Sequence, residues 1–105
     1  MGVSDIDRSE VITLIKAETG RDDYGMETKK ESVRTVFANV KSVGSKEFFE
    51  AGQNGLQPQY QFTMFAPDYD GERMIGYKGG RYAVYRTYQK TSDLIELYVE
   101  ERAGV

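Results

Sequence analysis

Apolar side chains recur at every second position over several short stretches of this chain, which is the spacing of strands half-buried in a sheet. Val11, Ile12, Thr13, Leu14 and Ile15 form a β-branched run without helical periodicity, so a first strand is predicted over residues 9 to 18. Between residues 33 and 40, Arg34, Val36, Ala38 and Val40 fall on one side and Val33, Thr35, Phe37 and Asn39 on the other. Apolar groups on both sides predict a strand in the middle of the sheet. Tyr60, Phe62 and Met64 alternate with Gln59, Gln61 and Thr63, a strand that ends at the turn formed by residues 67 to 71. Residues 73 to 77 and 81 to 88 read as a hairpin joined at Lys78, Gly79 and Gly80, because glycine tolerates the positive φ that tight hairpins require. In the last strand, residues 94 to 101, Ile95, Leu97 and Val99 alternate with Glu96, Tyr98 and Glu100, which predicts an acidic edge.

Two segments break this pattern. Residues 20 to 32 are polar and carry Arg21, Asp22, Asp23, Tyr24, Lys29 and Lys30, which suits an exposed hairpin tip. Residues 45 to 51 place Phe48 and Ala51 on one helical face, with Ser45 as the expected N-cap and Glu47 in the first turn, so a helix of about two turns is predicted there. Adjacent helical positions diverge by about 100°, so Phe48 and Phe49 are not expected to reach one small core together. The sum is an all-β, mainly antiparallel domain over residues 1–105. It is a small six-stranded barrel or sandwich with one short helix between the second and third strands.

Composition narrows the functions open to such a domain. Hydrophobic residues at 39% and charged residues at 30%, with both signs mixed, are those of an ordinary soluble folded chain. The net charge of −3, from 17 acids against 14 bases, argues against a partner held by attraction to phosphate or anionic lipid. The absence of Cys excludes disulfides, thiolate zinc sites and Cys nucleophiles. Histidine is absent too, which removes the commonest general base and the commonest metal ligand. No stretch approaches the ~18 apolar residues of a membrane span, and residues 1 to 10 lack the apolar region of a signal peptide, so synthesis in the cytosol is expected.

The remaining clusters offer little chemistry. Asp68, Asp70, Gly71 and Glu72 suggest a calcium loop, but with Gly71 at the sixth position the first and twelfth would be Ala66 and Tyr77, which supply no carboxylate, so a plain turn is expected. No helix follows Gly80, so a phosphate cradle at residues 76 to 80 is disfavoured. Tyr77, Tyr82, Tyr85 and Tyr88, interleaved with Lys78, Arg81 and Arg86, raise the alternative of an OB-like platform for single-stranded nucleic acid. Tyr82 and Tyr88 are expected on one face and Tyr85 on the other, which favours core or interface packing instead. Glu96, Glu100 and Glu101 read as a solvated strand face. Neither a catalytic residue nor a metal or cofactor is expected.

The order of features resembles the phage head-tail joining, or head-closure, family over nearly the full length. The pieces are the β-branched strand beginning Glu10, Val11, Ile12, Thr13, the polar tip, then residues 36 to 40 followed by residues 44 to 51, the Tyr-rich strand from Gln59, and residues 74 to 84. Family members often carry Trp at the end of the tip and where Phe37 stands, and this chain has none. The resemblance implies a non-enzymatic β-barrel subunit of the virion neck. It would join a twelvefold ring between the portal and adaptor complex and the tail proteins, with packaged DNA only as channel contents and no membrane partner. In some relatives the segment after the second strand closes the channel. By position this is Val43, Gly44, Ser45, Lys46, Glu47, Phe48, Phe49, Glu50, Ala51, Gly52, Gln53, Asn54, Gly55 and Leu56. A tail-terminator or minor tail protein is the alternative within virions. Contacts in a cyclic ring join unlike patches, and the helix and the 20 to 32 tip are the candidates.

Overall fold

A computed structural model describes residues 10 to 101. The N-terminal stretch and Ser9, the expected start of the first strand, lie outside the described residues. The chain forms β1 (Glu10–Arg21), β2 (Glu27–Lys41), α1 (Ser45–Gly52), β3 (Pro58–Phe65), a 3-10 turn (Ala66–Asp68), β4 (Met74–Tyr77), β5 (Gly80–Gln89) and β6 (Leu94–Glu101). All pairings are antiparallel and the sheet closes in the order β1-β2-β3-β6-β5-β4. Closure satisfies the backbone of every strand within the barrel wall and decides between the barrel and the sandwich.

In β3 and β6 the inward positions are those that the alternation assigned. Ile12, Leu14, Ala38, Phe62, Met64, Ile75, Tyr77, Ile95, Leu97 and Val99 form one core, with Val36, Val40, Tyr60 and Tyr82 packed against it. Part of this core is aromatic: the Tyr60 ring meets Tyr77 and Tyr82 edge-on at 5.3 Å each, and Phe62 meets Tyr77 edge-on at 5.5 Å. Such edge-to-face pairs are favoured because the positive ring edge meets the negative ring face. The hairpin at Lys78 and Gly79 has positive φ at both positions, 48° and 83°, which matches the twist of the flanking strands.

Four expectations need correction. First, residues 20 to 32 are mostly ladder: β1 and β2 pair from Glu10↔Ala38 out to Arg21↔Glu27, leaving only Asp22 to Met26 as the turn. This outer ribbon carries polar residues on both faces because it extends beyond the barrel, so no apolar alternation marks it. Second, β2 lies between β1 and β3, but it meets β3 only at Asn39, Val40 and Lys41. Its outward residues Val33 and Phe37 are exposed, so apolar groups on both sides did not mean burial on both. Third, the N-cap of α1 is Gly44 without a side-chain cap bond, and Ser45 is the first helical residue. Fourth, β5 has an irregularity between Val84 and Arg86, so two residues there oppose one on β6. The interruption places Tyr82 against the core and Tyr88 outward and exposed, not on one shared face.

Candidate functional site

Helix α1 lies on the outside of the barrel and contacts β3. Ala51 is its one buried residue, whereas Phe48 and Phe49 are 56% and 69% exposed, so neither phenylalanine belongs to the core. What ties the helix down is polar. The Glu47 carboxylate accepts a hydrogen bond from the Tyr85 hydroxyl at 2.7 Å and one from the Arg86 guanidinium at 2.5 Å. The β5 irregularity makes this possible by presenting two consecutive side chains on the outer face. Arg86 also stacks 4.0 Å from the Tyr98 ring centre, and the Tyr98 hydroxyl donates to Glu96 at 2.7 Å.

The charges in this cluster are tuned by their surroundings. Burial acts to raise the Glu47 carboxyl, but the bonds from Arg86 and Tyr85 outweigh it and hold the group below its ordinary value of 4.5. Burial, together with the bond to Glu96, pushes Tyr98 up to about 12. Glu96 itself is buried, which corrects the expectation of a fully solvated acidic face on β6, although Glu101 is exposed. Between α1 and β5 runs an open groove of about 480 Å³ lined by Glu47, Glu50, Ala51, Asn54, Leu56, Tyr85 and Arg86. Glu47→Gln is expected to loosen the helix by about 1 kcal/mol, roughly fivefold in local opening. Amide exchange should accelerate over residues 45 to 52 and not in β3 or β6. Unchanged exchange in the helix would show that Glu47 is not its tether.

The second projecting element is the β1–β2 turn. Its apex Tyr24 is 89% exposed and Met26 is exposed beside it. The turn is nevertheless built: Asp22 Oδ1 accepts from the Tyr24 and Met26 N–H groups at 2.9 Å each, Arg21 donates to the Gly25 carbonyl at 2.8 Å, and Gly25 takes φ +79°. Ion pairs brace the ribbon against the barrel: Lys16 with Asp70, Arg34 with Glu72, and Glu31 with Arg81. Thus the acids once compared with a calcium loop serve cations of the ribbon, and among the described residues no group of acids is arranged to hold a metal ion. The structure places the 43 to 56 segment and the tip on separate parts of the surface; in the segment Ala51 is buried and Val43, Glu47 and Leu56 are half-buried, whereas Tyr24 at the tip is exposed. The sequence reading missed the roles of Tyr85, Arg86 and Glu72, whose partners lie 38 or 39 residues away.

Tyr77 is buried and Tyr82 packs on the core, so two of the four tyrosines suggested for base stacking are spent inside the barrel. Fold and surface together define a small closed β-barrel with a projecting ribbon and a strapped helix. The model of the phage head completion protein family matches residues 7–102, nearly the whole chain, and the chain belongs to that family. Its role is therefore a structural one connected with the phage head. No curated protein matches the chain. Among the described residues no helix is long and apolar enough to cross a membrane.

Proposed function

We propose that this protein forms a ring in the neck of the virion, joins the portal and adaptor complex to the tail, and helps to close the DNA channel. The carrying observation is helix α1, a short element held on the outside of the barrel by one carboxylate and one buried alanine, with Phe48 and Phe49 left uncovered. A closing segment must be ordered and yet displaceable, and such an element has low local stability. Gly52 at its end and Gly55 beyond it permit the chain to re-route, Gly55 already having φ +80°. The net charge of −3 suits a channel through which DNA passes without being gripped. On this reading residues 43 to 56 close the channel, the end of the β1–β2 ribbon with Arg21, Asp22, Asp23, Tyr24, Lys29 and Lys30 meets a neighbouring copy, and the subunit is made in the host cytoplasm before assembly.

The experiment is removal of residues 44 to 55 in the phage that carries the protein, followed by counting DNA-filled heads. Heads that fill and then leak DNA are expected. Stable, infectious particles would remove channel closure from the role.

A further inference from the structure

The ribbon tip and the helix groove have matching properties and cannot meet within one molecule. They lie at opposite ends of β2: the turn precedes Glu27, and α1 follows Lys41 by a short link. At ~3.3 Å per residue the 15-residue strand keeps them about 45 Å apart. Around the closed sheet the ribbon grows from β1 and β2, while the groove is formed over β5 on the far side. A contact between them therefore joins two copies through unlike patches, the head-to-tail geometry that generates a ring when its rotation closes.

The chemistry of the two patches fits. The groove is lined by Ala51, Leu56 and Tyr85 and by the polar Glu50 and Asn54, beside the Glu47–Arg86 ion pair. Tyrosine, apolar along its ring and polar at its end, is a side chain suited to such a site. The Asp22 bonds to the Tyr24 and Met26 N–H groups fix the backbone of the turn, so little backbone freedom is lost when the apex docks. Charge agrees as well. Lys29 and Lys30 on the ribbon shaft are exposed and form no ion pair among the described residues, and the Glu50 carboxylate at the rim has only a loose contact to Lys46 at 3.9 Å.

We propose that the Tyr24 apex of each copy inserts into the groove between α1 and β5 of the next copy and thereby clamps that copy's helix against its barrel. The inference rests on the ring reading above and adds which surfaces meet. It makes the position of each closing segment depend on a neighbour, so that the ring opens or closes in concert.

The test uses the absence of cysteine from the chain. Particles carrying Met26→Cys together with Asn54→Cys are oxidised gently and run on a non-reducing gel. A ladder of dimers, trimers and higher forms of this chain is expected. Monomer alone from particles that contain the protein, a ladder that stops at dimer, or links only to another virion protein would each overturn the contact while leaving the neck role intact. Absence of the protein from unmodified particles would instead overturn the ring reading and this inference with it. In parallel, Tyr24→Ser should leave the unfolding of the isolated chain unchanged and reduce its incorporation into particles at least tenfold. Full incorporation would defeat the proposal.

Discussion

Phe62→Ala is expected to cost about 3–5 kcal/mol, the largest loss available from a single side chain in this core. Phe62 is fully buried on β3, between the Tyr60 and Tyr77 rings, where the barrel wall surrounds it. Truncation removes apolar area and leaves a cavity that the closed sheet cannot collapse to fill, because each neighbouring strand is fixed by its ladder. A domain of this size has a total stability of about 5–15 kcal/mol, so the variant should lie near the limit of folding at ordinary temperature. Urea unfolding measures the difference. Phe37→Ala serves as the comparison, since Phe37 points outward and is exposed, and it should change stability by no more than about 0.5 kcal/mol. Equal costs for the two would contradict the division of β2 and β3 into inward and outward positions.

Glu72→Ala should be the most damaging polar substitution, at about 2–3 kcal/mol. Glu72 is 2% exposed, accepts from Arg34 at 2.6 Å and from the Asp70 N–H at 2.8 Å, and so ties the base of the ribbon to the link before β4. Removing it takes the acceptor from the Asp70 N–H and leaves the Arg34 guanidinium with the Asp68 carbonyl alone. The cost stays below that of a fully buried pair because the Arg34 side chain is half exposed and regains water. Burial acts to raise the Glu72 carboxyl, yet the Arg34 and backbone bonds prevail and hold it below its ordinary 4.5. A lowered folded value means that this stabilisation is complete above about pH 4.5 and disappears as pH falls through the folded value. Glu72→Gln should therefore flatten the acid side of the stability profile as well as lower the plateau near pH 7. An acid limb identical to that of the unmodified protein would show that the Glu72 proton is not linked to folding.

The barrel was legible in the sequence where one face of a strand is wet and the other dry. Tyr60, Phe62 and Met64, like Ile95, Leu97 and Val99, alternate because the wall between core and surface has a period of two. Lys78 and Gly79 gave the hairpin by backbone conformation alone. The outer ribbon was not legible, since Glu18, Lys29 and Lys30 are wet whichever way they point. The tether of α1 was hidden for a different reason. Glu47 reads locally as a first-turn acid, and only the closed topology brings β5 beneath it. The short helix was located correctly at residues 45 to 51, and both its phenylalanines proved to be uncovered.

The surplus residue in β5 makes that strand sensitive to length in a way that substitution alone does not reveal. Past Val84 the wall counts Tyr85 and Arg86 against Tyr98, after which Thr87 faces Leu97 and Tyr88 faces Glu96. Loss of Tyr85 itself would keep the parity of residues 86 to 89 and take away one of two fingers gripping Glu47. Loss or gain of a residue elsewhere between Gly80 and Val84 would throw the strand out of phase. Either the Arg86 charge would then turn into the lumen, or Tyr82 would leave it. Among the homologous chains of other phages, β5 should accordingly vary in letters far more freely than in length.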